Sequence, residues 1–205
     1  MGRWQPNARG RLEKAAMELY AEHGFDQTTV AQIAERAGLT ERTFFRHFAD
    51  KREVLFAGSA QLQDLLVETV AAAPASATPI DAVAAGIDAI GAVLQESRGR
   101  VFARERQSIV TASGELRERE LNKLSSLASA LSDTLRKRNV AEPAASLLGE
   151  LGIAVFRISF ERWVSGPRDQ DLRALMRESF DAVRSVTADA GGDGSASGER
   201  VGHAA

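Results

Sequence analysis

The chain has 205 residues, 44% of them hydrophobic and 26% charged, with a formal net charge of −2. That length suits one or two domains with a real core, and the near-neutral balance excludes a uniformly basic nucleic-acid coat, leaving a local basic face as the only route to DNA. No cysteine is present, which excludes disulfides and thiolate chemistry; without an apolar leader or a run of about 18 apolar residues, the expectation is a cytoplasmic protein with no membrane partner.

Residues 1–8 read as a short arm, with Pro6 and Asn7 marking entry to a helix and Asn7 placed to cap it. Two readings of Arg3 and Trp4 stand: a basic arm reaching a neighbouring groove, or a frayed terminus. Leu12, Ala15, Ala16, Leu19 and Tyr20 recur with a period near 3.6 and predict a helix over 8–23. Gly24 ends it, and Phe25 turns back toward the core.

Residues 28–51, TTVAQIAERAGLTERTFFRHFADK, read as two short helices joined by a tight turn. Thr28 or Thr29 caps the first, and Val30, Ile33, Ala34 and Ala37 form its apolar face. Gly38 stands where a helix end needs a left-handed residue, with Leu39 inside the turn. Thr40 caps the second helix. Phe44 and Phe48 lie on its inner face, while Thr40, Arg42, Thr43, Arg46 and His47 remain for the outer faces. Asp50 and Lys51 then restart a helix, which puts the Lys51 ammonium where it can meet a phosphate. A short helix with apolar anchors inside and hydrogen-bonding side chains outside can enter a major groove; the competing reading is a helical hairpin with a solvated face.

The pattern from 51 to 73 predicts one longer helix, with Val54, Leu55, Leu62, Leu65, Leu66 and Val70 inward, running continuously out of the motif. Pro74 and Pro79 bracket the clearest break in the chain. Helices are expected over 79–96, 98–112, 115–138, 143–165 and 169–187. The helix over 143–165 is apolar almost all round and needs cover on more than one side. Residues 189–205 are rich in Gly, Ser and Ala and are expected to be a disordered tail. The expected architecture is all-α, with about nine helices.

Gly38-Leu39-Thr40-Glu41-Arg42-Thr43-Phe44-Phe45-Arg46-His47-Phe48-Ala49-Asp50-Lys51, with Ala21 to Phe25 and Thr28-Thr29-Val30 before it, resembles the DNA-binding signature of the tetracycline-repressor (TetR) family of bacterial transcriptional regulators. The resemblance covers residues 9–56. It implies an N-terminal three-helix DNA-binding domain at 9–56 with its helix-turn-helix at 29–48. A helical effector-binding and dimerisation domain would follow at 57–188, between the arm at 1–8 and the tail. The family often has Tyr where this chain has Phe45, and there the hydroxyl reaches a phosphate; Phe45 cannot, so a packing role is expected.

His23, His47 and His203 are scattered without partners at metal-ligand spacing, and no phosphate loop or nucleophile elbow appears. No catalytic residue, metal or cofactor is therefore expected. The reading is a homodimeric, sequence-specific transcriptional regulator. The resemblance adds repression, release by a small-molecule effector, and pairing through the helices over 143–165 and 169–187. The rival is a helical dimerisation or interaction module with no DNA-binding role. Candidate contacts to a near-palindromic double-stranded operator are Thr29, Thr40, Arg42, Thr43, Phe45, Arg46, His47 and Lys51, with either arginine free to be the base reader. Phe102, Arg106, Ile109, Phe156, Phe160, Trp163 and Met176 are candidates to line the pocket of an unknown effector, against the ordinary reading that they pack a core.

Overall fold

The structure of the protein, a computed structural model, describes residues 7–97 and 99–192. Arg3, Trp4 and the tail from 193 onward lie outside the described residues. Among these residues there are nine α-helices and no strand: α1 (Ala8–His23), α2 (Val30–Arg36), α3 (Glu41–His47), α4 (Ser59–Ala72), α5 (Pro79–Ser97), α6 (Gly99–Ala112), α7 (Gly114–Lys137), α8 (Ala144–Ser165) and α9 (Leu172–Gly192), with a 3-10 turn at Arg52–Val54 between α3 and α4. No helix among them is long and apolar enough to cross a membrane.

Two buried clusters organise these helices. The smaller gathers Leu12, Ala16, Leu19 and Tyr20 of α1, Ile33 of α2, Phe44 of α3 and the run Val54-Leu55-Phe56, and it takes Ile109 and Val110 from α6 and Leu116 from α7. The larger joins α4, α5, α7, α8 and α9 around Leu66, Ile87, Leu131, Trp163, Leu172 and Phe180. Helix α6 contributes to both, since its Ala103 belongs to the larger one. Close helix approach in the larger cluster depends on two glycines of α8. A Cβ on Gly152 would stand 2.7 Å from Val83 and 2.9 Å from Leu131, and one on Gly149 would collide with Ser132 Oγ.

The continuous helix expected over 51–73 is not formed. After the 3-10 turn the chain bends at residues 55–58, and α4 starts at Ser59, behind Gly58 at φ 92°. The reason is burial: Val54, Leu55 and Phe56 are all buried, whereas consecutive residues of an α-helix point about 100° apart and cannot share one face. The bend also frees the Leu55 carbonyl, which accepts from Arg106 Nε at 2.8 Å. Helix α9 extends beyond 187 to Gly192, so the first part of the expected tail is helical. Arg138 donates to the carbonyls of Ala71, Ala73 and Pro74, closing the C-terminal end of α4.

Candidate nucleic-acid interface

Each helix of the N-terminal motif begins on a side-chain cap. Asn7 Oδ1 accepts from the Gly10 amide at 2.9 Å and opens α1. Thr29, not Thr28, caps α2: its hydroxyl accepts from the Gln32 amide while the Gln32 side chain accepts from the Thr29 amide, a reciprocal capping box. Thr28 is buried instead, donating to the Gly24 carbonyl at 2.8 Å. Gly38, at φ 63°, ends α2 in the left-handed region, and the Leu39 amide reaches back to Ala34 O at 2.8 Å. Thr40 Oγ1 then accepts from the Thr43 amide and opens α3. Two seven-residue helices are too short to persist alone; their angle is held by Ile33, Phe44 and Phe48, all buried.

Helix α3 has a sharply divided surface. Phe44 is 0% exposed, whereas Glu41, Arg42, Phe45 and Arg46 face outward. Arg42, Phe45 and Arg46 stand at i, i+3 and i+4 and so share one side of the helix. Neither Arg42 nor Arg46 makes a hydrogen bond or ion pair among the described residues. Many other arginines differ: Arg36 is bidentate on Glu22, Arg173 on Asp88, and Arg136 bridges Asp133 and Glu142. Arg104, Arg117 and Arg157 are exposed and without side-chain partners among the described residues too; what sets Arg42 and Arg46 apart is that two free forks stand one turn apart on the same short helix, where both can reach one external acceptor surface.

Several expected contacts sit elsewhere. Phe45 is 55% exposed, so a purely packing role does not describe it and it stays among the outward candidates; its ring meets that of Phe44 at 84° and 5.5 Å between centroids. Thr43 and His47 are half-buried on the flank of α3, and His47 Nε2 is shut away from solvent. Lys51 departs most from expectation. Its ammonium donates to the carbonyls of Phe25 at 2.8 Å, Thr28 at 2.9 Å and Asp26 at 3.4 Å, and lies over the Phe25 ring. All three of its N–H groups are thereby drawn inward, fastening the α1–α2 loop rather than projecting outward. Tyr20 completes that fastening by donating to the Lys51 carbonyl at 2.6 Å, and burial beside Asp50 raises its phenol above the ordinary range.

Asp50 anchors the exit from α3. Its carboxylate accepts from the Arg52 and Glu53 amides at 2.8 and 3.2 Å and from the Arg52 guanidinium at 2.5 Å. The Arg52 side chain, aided by these amides, holds the carboxyl below its usual value. A carboxyl lowered by folding stabilises above its unfolded pKa of about 3.9 and loses that contribution as pH falls through the lower folded value. Asp50→Asn keeps an oxygen for the two amides but loses the charge that bonds Arg52, so it should destabilise the fold near neutral pH, a deficit that shrinks below about pH 4. Urea melts at pH 7 and pH 3 test this, and an equal deficit at both would contradict it.

The turn after Asp50 is clasped to α6 and α7, a junction that sequence reading missed. Glu53 accepts from Arg119 and lies 3.6 Å from Lys123, Arg52 reaches Glu115 at 2.9 Å, and Arg106 reaches Glu120 at 2.8 Å while covering the Phe56 ring. The alternating charges of residues 115–120 were the available signal, but their partners lie more than 50 residues away except for Arg106. Within this clasp Arg106 is held by Nε on the Leu55 carbonyl and Nη1 on Glu120, so the side chain serves the junction rather than standing free in the expected effector pocket.

The remaining pocket candidates do not come together as one lining. Ile109 is buried in the smaller cluster, and Trp163 and Met176 are buried in the larger one, with Trp163 Nε1 donating to the Gln170 carbonyl. Phe156 and Phe160 stack on one another at 5.8 Å along α8 and pack on the larger cluster. Phe102 lines an open groove of about 790 Å³ between α1 and α6, alongside Met17, Glu18 and Glu105. Among the described residues no group of three His, Cys, Asp or Glu is placed to hold a metal ion.

Comparison with known proteins agrees with this geometry. Residues 12–57 match the family described as bacterial regulatory proteins, tetR family. The HTH-type transcriptional regulator TcmR of Streptomyces glaucescens is 35% identical over 82 residues, which cover 40% of this chain. The matched segment spans only 36% of that relative's length. At the level of fold, FadR of Bacillus subtilis, solved with stearoyl-CoA, superimposes with a TM-score of 0.61 at 21% identity, covering 85% of this chain and 96% of that one. FadR of Thermus thermophilus, solved with lauroyl-CoA, gives 0.53 at 22% identity, over 96% of this chain and 100% of that one.

Proposed function

We propose, from the premise that this chain belongs through its N-terminal domain to the tetR family of bacterial regulatory proteins, that it is a homodimeric, sequence-specific DNA-binding regulator that represses transcription until a small-molecule effector releases it. The observation that carries this reading is the outward face of α3, where Arg42 and Arg46 are exposed and unpaired beside Phe45 while Phe44 is fully buried behind them. Two such helices, related by a dimer axis, fit successive major grooves of a near-palindromic site. Thr29 and Thr40, exposed at the starts of α2 and α3, are the candidates for phosphate contacts, with Thr43 and the half-buried His47 behind them on the flank of α3, and Lys51 acts indirectly by fixing the loop before α2. Such work on chromosomal DNA places the protein in the cytoplasm.

The test is anisotropy of a labelled duplex, selected by the protein from a randomised pool, at several salt concentrations. Binding should saturate and weaken steeply with salt, with a log–log slope near −0.9 for each phosphate neutralised. Affinity that ignores both salt and sequence would count against the reading.

Pairing through α8 and α9 is supported by apolar side chains that their own chain leaves uncovered. Leu147 is 65% exposed and Ile158 50% on α8, and Val186 is 72% exposed on α9. Leu147 and Ile158 lie three helical turns apart on one side of α8. A Leu147→Asp, Ile158→Asp variant should sediment as a monomer with unchanged helix content and bind the selected duplex at least about 100-fold more weakly, because the two half-sites no longer act together. A variant that remains dimeric would move the interface elsewhere.

The effector reading draws support from the two fold neighbours solved with acyl-CoA, so long-chain acyl thioesters are the first compounds to assay, with lipophilic acids and cationic drugs after them. Because Trp163 and Met176 are buried in the larger cluster, an effector lodged there must open that cluster, and it must favour the open form by several kcal/mol to empty the operator.

A further inference from the structure

From the surface of α3 we infer that Phe45 reads a thymine methyl group in the major groove, making it a specificity-determining residue. The inference rests on the DNA-binding reading of α3 and names what one of its side chains recognises there.

A phenylalanine that is 55% exposed on a seven-residue helix is not spending its apolar surface on its own fold. Its ring is nevertheless held: Phe44, itself fully buried, meets it edge-to-face at 84° and 5.5 Å. Arg42 and Arg46 flank it on the same side of the helix, without partners among the described residues, so the surroundings are suited to a polyanion. Within a major groove the base edges present hydrogen-bond donors and acceptors, with a single apolar exception, the C5-methyl of thymine. The Phe45 ring carries no hydroxyl and can neither donate to a phosphate nor bond a base edge. Of the groups available in that groove, the methyl alone gains from meeting it. The guanidinium groups beside it take the polar readout, and the ring adds a position at which thymine is distinguished from cytosine by shape and apolar burial.

The test uses the duplex that the full-length protein selects from a randomised pool. Each thymine is replaced singly by deoxyuridine, which removes the methyl and leaves base pairing intact. The parent should lose about fourfold in affinity at one thymine per half-site, and about fifteenfold when both half-sites are changed. Phe45→Ala should bind the thymine and deoxyuridine duplexes equally, and Phe45→Leu should retain part of the preference. Melting curves of both variants should overlay the parent's, because the side chain is exposed. A parent indifferent to every deoxyuridine, or a Phe45→Ala variant that keeps the fourfold preference, overturns the inference while leaving DNA binding intact. Failure to select any duplex overturns the DNA-binding reading itself, and this inference with it.

Discussion

A protein carrying Arg42→Ala and Arg46→Ala together should lose binding to its selected duplex by more than about 100-fold, with its melting temperature unchanged. Each arginine that makes a bidentate contact to guanine contributes about 1–3 kcal/mol of discrimination, and a dimer loses each contact twice. Stability should hold because neither side chain is paired or packed within the described chain. The single variants separate the two roles. The arginine that reads a base should, when replaced, relax selection at one position of the site. The one that contacts phosphate should weaken all sequences alike and lower the salt slope by about one. Parent-like affinity in the double variant would remove α3 from the interface.

The second large effect concerns what stands behind that face. Phe44 is 0% exposed and contacts Phe48 at 5.5 Å between ring centroids. Phe44→Ala should cost about 3–5 kcal/mol, the usual range for deleting a buried aromatic. The loss falls on helices of seven residues that have no stability of their own. Amide exchange should therefore quicken most in α2 and α3, while the amides of α8 and of α7 from Ala128 onward, whose cluster does not include Phe44, stay protected. DNA binding should be lost even though no contacting side chain has changed. Uniformly faster exchange throughout the chain would show that the two clusters unfold as one unit.

Most of the fold was legible where local chemistry decides it. Asn7, Thr29 and Thr40 are side-chain caps, and Gly24 and Gly38 are terminators whose effect depends on neighbours within four residues. The break at 55–58 was hidden because the apolar spacing on either side fits a single helix. What decides it is a burial demand from α6 and α7, about 50 residues distant in sequence, and Gly58 was the local sign that went unused. Lys51 escaped for the same reason: its three carbonyl partners lie 23 to 26 residues earlier, a distance at which spacing carries no information. Phe45 is different, since its exposure follows from simple helical geometry relative to Phe44. There the resemblance to chains with tyrosine at that position directed attention to a missing hydroxyl and away from the ring. The effector candidates failed to converge because aromatic residues at helical spacing look alike whether they line a cavity or fill a core, as Trp163 does.

The central claim is that the arginine-bearing face of α3 lies in the major groove, and methylation interference measures that contact directly. Methylating guanine N7 places a group in the major groove without disturbing base pairing. The account predicts that such methylation blocks binding within two patches of the selected duplex, centred about 10 base pairs, or a small multiple of that, apart. Binding that tolerates N7 methylation throughout the site would contradict it.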